Sequence, residues 1–238
     1  MALFADTGLR LHEFVRRPAT IVLVLAVPPL AIETYGTALE SFPQLPGLAE
    51  PARVGRVTGT LFAVAFLAGL VGLFQVISSR SGDERLVLCG YSRMRLLGTR
   101  LLSLFTVGAV ASAVALATLG LRVDVAAPAL AFGVLIIAIV LYGLLGVTVG
   151  SVLPRELEGS LVLVFAADLD NALSSDLFDT GVVGRFAPLH HPHALFESAV
   201  VSGELAGDHL LPTMAYLIGF LVVAVVAYTR AGVRAPRS

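Results

Sequence analysis

The sequence predicts an all-α integral membrane protein, and three observations carry that prediction. Of 238 residues, 57% are hydrophobic and only 14% charged, against about 25% charged in an ordinary soluble domain. The charges are bunched, leaving uncharged runs of 23 residues at Val57–Ser79, 21 at Leu101–Leu121, 30 at Val125–Pro154 and 20 at Leu210–Thr229. A helix of about 20 apolar residues crosses the roughly 30 Å of bilayer hydrocarbon. The arginines, finally, fall on alternate segments between these runs, as the positive-inside rule requires of a multi-pass chain.

Taken in order, the chain reads as six spans preceded by an interfacial helix, all in one transmembrane domain covering residues 1–238. Residues 2–17 place Leu3, Phe4, Leu11, Phe14 and Val15 near one helical face, with Asp6–Arg10 and Glu13–Arg17 as i,i+4 pairs on the polar side. Such a segment lies in the interface plane; its early acids and the following Pro28-Pro29 argue against a signal peptide. The first span covers about 18–36, with Pro28-Pro29 expected to kink it or end its regular portion. After the Pro/Gly-containing stretch from Ser41 to Gly55 come spans at about 57–79 and 101–119, then 129–150 within the 30-residue run. The fifth, 155–174, is irregular, because only nine uncharged residues separate Glu158 from Asp168. Residues 175–209 form an external or re-entrant region, and 210–229 the last span.

Between spans two and three, residues 80–100 hold five of the sixteen basic residues, all arginine. The local pattern is helical. Ser81 and Glu84 form a Ser-x-x-Glu capping box, Gly90 supplies a left-handed stop, and Ser92 caps a second helix running into the third span. A helix of about eight residues is marginal alone in water, so 82–89 either docks on something or is part of a solvated basic loop. With the amino terminus inside, twelve arginines fall on the inner side (10, 16, 17, 80, 85, 93, 95, 100, 155, 230, 234 and 237). Arg53, Arg56, Arg122 and Arg185 fall outside. Both termini and the 80–92 loop are therefore expected in the cytoplasm.

Most catalytic chemistry is excluded. The chain has no lysine, so a phosphate-binding Gly-x-x-x-x-Gly-Lys loop is impossible. His12-Glu13 lacks a second histidine four residues on, and no Gly-x-Ser-x-Gly elbow occurs. The single cysteine, Cys89, excludes an intrachain disulfide, and a net charge of −1 gives no footprint for nucleic acid. No metal site is expected at His190, His191 and His193: no cysteine or tightly spaced acids accompany them, and Pro192 breaks the register. Asp168 and Asp170 lie about 200° apart on a helix, which disfavours a paired acid/base role. Asp168, Asn171 and Ser175 instead share a face. Fourteen residues beyond Pro154, Asp168 lies about 21 Å along the helix, within the hydrocarbon, where lipid exposure of a charge is disfavoured. That stripe is expected to line a translocation path, the alternative being the outer end of a span that finishes early.

In its order of elements the chain resembles the membrane subunit of an ABC-2-type ATP-binding-cassette exporter. The local matches are Glu84 with Leu86-Val87-Leu88, Ser92-Arg93 and Gly98 leading into span three, and Pro188–Val201 before the last span. One departure is Gly90-Tyr91, where such permeases often carry a proline. The resemblance implies a plasma-membrane permease that pairs with a second permease subunit, identical or related, and binds two copies of a separate ATPase chain. ATP and Mg would sit on that partner, with no cofactor on this chain. The short cytoplasmic helix would then couple to the ATPase through Ser81, Asp83, Glu84, Arg85, Leu86 and Leu88. Two other classes stay open: an intramembrane enzyme, or a secondary transporter, using Asp168/Asp170 or the His190–His193 cluster. The internal repeat expected of many secondary transporters is not evident.

Overall fold

A computed structural model describes residues 18–41, 50–175 and 181–231; the expected interfacial helix over 2–17 lies outside them. The described residues contain helices and no strands. The helices are α1 (Pro18–Glu40), α2 (Pro51–Ser78), α3 (Arg80–Leu88), α4 (Arg93–Gly120), α5 (Pro128–Val152), α6 (Glu156–Ser174), a single turn α7 (Gly181–Gly184), α8 (His190–Val201) and α9 (Leu210–Ala231). The short 3₁₀ turn Gly207–His209 leads into α9.

Helices α2 and α5 form the centre, pairing more extensively than any other two. The reason is glycine at the crossing. A Cβ on Gly146 would collide with the Gly69 carbonyl, and one on Gly72 with that of Gly143. Apolar side chains gain little from each other in lipid, so such close backbone approach is what holds membrane helices together. Helix α1 closes on α2 in the same way: a Cβ on Gly59 would lie 2.9 Å from Tyr35 Cβ and 3.0 Å from the Ala31 carbonyl oxygen. Of the two outcomes expected of Pro28-Pro29, an end to the regular helix does not occur. Helix α1 continues through Pro28 and Pro29 although neither can donate to the residue four back. Helix α2 also starts earlier than its uncharged run, at Pro51 in the first turn after Glu50, where the missing N–H costs nothing.

Five described helices are long and apolar enough to cross a membrane: α1, α2, α4, α5 and α9 with its preceding turn. The chain is therefore a multi-pass helical membrane protein. Six spans were expected, and α6 is the one that does not meet the mark, because Glu156, Glu158, Asp168 and Asp170 dilute its 19 residues. Burial ranks the others. The apolar windows of α2 and α5 are 67% and 61% buried within the chain, that of α9 only 11%, so α9 lies on the outside of the bundle. Short α8 belongs to the core instead: Leu195, Phe196, Ala199 and Val200 are fully buried. It packs chiefly on α5, and its last turn accepts hydrogen bonds from the amides of Ala126 (2.9 Å) and Ala127 (3.1 Å) in the α4–α5 turn.

Candidate functional site

Two polar clusters stand at opposite ends of the bundle, one beneath α3 and one beneath α8. The first begins with the geometry of α3 itself. The helix starts at Arg80 with Ser79 as its N-cap, so Ser81 lies inside it and the expected Ser81–Glu84 capping box does not form. The cause is the end of α2, one residue away: the Ser79 hydroxyl donates back to the Gln75 carbonyl (3.0 Å) rather than forward. The far end is a Schellman stop. Gly90 has φ +89°, its amide bonds to Val87 O (2.9 Å) and that of Tyr91 to Leu86 O (2.9 Å).

No residue of α3 is buried. Ser81, Glu84, Arg85, Leu86 and Leu88 are all exposed, Leu88 at 87%. Exposed Met94 follows just beyond the stop. Asp83 alone among the six expected coupling residues turns inward with Val87. Its carboxylate accepts a charged hydrogen bond from Arg100 of α4 and one from the Tyr228 hydroxyl of α9 (2.8 Å). Arg100 is completely buried; its other terminal nitrogen donates to Gln75 O of α2 (2.7 Å), and its guanidinium lies 5.4 Å from the Tyr228 ring centre. Arg80 donates to Gly150 O of α5 (3.0 Å) and Arg93 to Thr229 O of α9 (2.9 Å). A shallow cleft between α3, α4 and α9, floored by Val76, Leu96 and Tyr228, opens beside this node. Helix α3 is thus exposed on one side and tied on the other to α4, α5 and α9, and through Arg100 to α2.

Sequence reasoning counted Arg100 among the loop arginines and gave Tyr228 no role. A signal was present. If the helix capped at Ser92 runs unbroken into the span, Arg100 lies two turns inside it, where an arginine needs an acid. Asp83 is the acid of the preceding segment that α3 turns toward it.

At the other end, α6 presents its acids to different surroundings. Asp170 is buried and accepts from the Tyr142 hydroxyl, Ser174 Oγ (3.1 Å) and the Leu189 amide (3.1 and 3.2 Å). It therefore pins the start of α8 to α5 and α6. Asn171 and Ser175 are buried as well, Asn171 donating to the Tyr35 hydroxyl (3.2 Å). Asp168 does not join them: it is exposed, on the side of α6 that also exposes Leu161, Phe165 and Leu169. The expected stripe of Asp168, Asn171 and Ser175 is thus split between the surface and the interior of the protomer.

The histidines also divide. His193 is buried and within hydrogen-bond distance of Thr58 Oγ1 on α2 (3.1 Å). His190 and His191 meet His209 from the turn before α9, which the sequence reading did not connect with them. The His191 and His209 Nδ1 atoms are 3.0 Å apart. Burial first, then the neighbouring His190 and His209 imidazoles, push the His191 imidazole below its ordinary pKa. Glu33 completes this end by pairing with Arg122 (2.7 Å) and more loosely with Arg56 (3.9 Å); both pairs are partly solvated and contribute little.

No protein-family model matches the chain, and no curated protein matches it.

Proposed function

We propose that this chain is the permease subunit of an ATP-driven exporter of the ABC-2 type. It would work as a dimer and couple through α3 to an ATPase carried on a separate chain. The observation that supports this most is α3: a nine-residue helix with no buried residue, apolar side chains exposed toward solvent, and a charged anchor running into the bundle. A loop that served only to join two spans would gain nothing from such wiring. A helix that receives a push from a partner needs both features, a free face to be gripped and a rigid path inward. In this reading Glu84, Arg85, Leu86 and Leu88 meet the ATPase, while Asp83 passes displacement through Arg100 and Tyr228 to α4 and α9. The α3 end is cytoplasmic, from the arginine distribution. α6 crosses as a sixth span, and the region containing α8 is the re-entrant segment before the last span.

Exposed Asp168 fits the dimer. A carboxylate among Leu161, Phe165 and Leu169 is costly against lipid, and facing a second permease subunit or a water-filled path removes that cost. Asp170 supports an assembly role for its own cluster, since its oxygens are already taken up by Tyr142, Ser174 and the Leu189 amide.

The experiment is purification of the tagged chain from its native membrane in mild detergent, followed by measurement of ATP hydrolysis in the eluate. Wild-type protein brings down a hydrolase of phosphate-loop type. Glu84→Ala/Arg85→Ala protein inserts equally well but loses most of that hydrolase. Transport by the purified chain with no hydrolase present would favour the secondary-transporter reading instead.

A further inference from the structure

At the α8 end, His190 and His191 from the first turn of α8 converge with His209 from the turn before α9. One nitrogen from each of the three lies within 4.8 Å of the other two. The closest pair, His191 Nδ1 and His209 Nδ1, are 3.0 Å apart. Two nitrogens bound tetrahedrally to one metal at about 2.0–2.1 Å stand roughly 3.3 Å from each other, so this pair is within a few tenths of an ångström of ligating distance. The rings approach from different directions, with planes inclined by 78°, 57° and 49° in the three pairs. That is convergence on a point rather than stacking. All three are half-buried, sheltered yet reachable by an ion.

We propose that His190, His191 and His209 form a transition-metal site that fastens α8 to the start of α9. All three donors are imidazole nitrogens, which suit Zn2+, Co2+, Ni2+ or Cu2+ and not the hard, oxygen-seeking Mg2+ or Ca2+. Three protein ligands leave one position of a tetrahedral ion for water or another small ligand. The ion would join residues 190–191 to residue 209 and close the intervening loop. In mechanical terms it would hold the buried α8, which α5, α6 and Asp170 already grip, to the most peripheral helix of the bundle. The site is independent of the exporter reading.

The test uses the full chain, purified without a histidine tag and stripped with EDTA. Co2+ is titrated while the visible absorption is followed, and Zn2+ is then added. The expected result is the intense d–d spectrum of four-coordinate Co2+, saturating at one ion per chain and displaced by Zn2+. His191→Gln and His209→Gln should each weaken binding by more than the roughly 10–100-fold that follows loss of a mere orienting partner. His12→Gln, the one histidine remote in sequence from the other four, should bind as wild type. The thermal midpoint of wild-type protein should rise with Zn2+ and fall back with EDTA. This second measurement decides the matter even if a glutamine variant fails to insert. Folded wild-type protein that gives neither the spectrum nor the Zn2+-dependent midpoint would overturn the proposal, leaving a plain His191–His209 hydrogen bond. Undiminished binding in His209→Gln would overturn it equally.

Discussion

Replacing Asp83 by Asn tests the wiring of α3 most sharply, because it removes a charge while keeping the shape. Arg100 is wholly buried and the Asp83 side chain only 15% exposed, so the pair behaves as an internal one. Removing one partner of a buried pair costs about 3–5 kcal/mol, chiefly because the other charge is left uncompensated. Two features put this case at the lower end. Gln75 O continues to hold one guanidinium nitrogen, and the Asp83 side chain stays partly exposed. We therefore expect about 3 kcal/mol. Tyr228→Phe removes the hydroxyl's hydrogen bond to the charged Asp83 carboxylate and should cost about 1.5–3 kcal/mol. In Asp83→Asn/Arg100→Met no buried charge remains, so the double variant should lose clearly less than the sum of the single losses, a coupling of about 0.5–3 kcal/mol. The assay is equilibrium unfolding in mixed micelles by increasing SDS, supported by amide hydrogen exchange over residues 80–88, which should accelerate in Asp83→Asn. A loss below about 1 kcal/mol, or additivity in the double variant, would refute the idea that this node anchors α3.

Four further outcomes follow from other parts of the bundle. Gly146→Val must push α5 off the Gly69 carbonyl of α2 and should cost about 1–3 kcal/mol or more. Gly98→Ala, where an added Cβ meets nothing within 4 Å, should be neutral or stabilising by about 0.5–1 kcal/mol; the same unfolding titration reads both. On α6 the two acids should separate by phenotype. Asp170→Ala should loosen the start of α8, measured as faster amide exchange over 187–193. Asp168→Asn should leave stability unchanged and alter transport, and a spin label at 168 that reports free exposure to bulk water in every nucleotide state would sink its interfacial placement.

How much was legible beforehand differs from element to element. The all-helical membrane class was plain, since a chain with so few charges in such bunches has no soluble alternative. Gly90 was also readable, because a left-handed stop demands a residue without a Cβ. The capping box was misread: Ser81 and Glu84 have the right spacing, but spacing does not reveal that α2 runs to Ser78 and offers Ser79 the Gln75 carbonyl. Six spans were read where five helices are apolar enough, because the position of α6 in the alternation outweighed its four acids. Pro28-Pro29 left open a kink or an end to the regular helix, because local propensity does not decide between them; α1 runs on through both. The least legible features were contacts between distant residues. Asp83 meets Tyr228 across 145 positions, and His209 joins His190 and His191 from the turn before α9. In both cases the residue types hinted at a need for partners, and only the three-dimensional arrangement supplied them.

The central claim is that a separate ATPase grips the exposed face of α3, and Cys89 tests it directly. It is the only cysteine in the chain, exposed, and immediately beyond the last turn of α3. A benzophenone maleimide attached there and illuminated in native membranes should give a discrete adduct with a nucleotide-hydrolysing polypeptide. The yield should fall in Glu84→Ala/Arg85→Ala, and a membrane-impermeant maleimide added to intact cells should not reach the thiol. Adducts with lipid or with a second copy of the chain alone, or ready labelling of Cys89 from outside the cell, would contradict the claim.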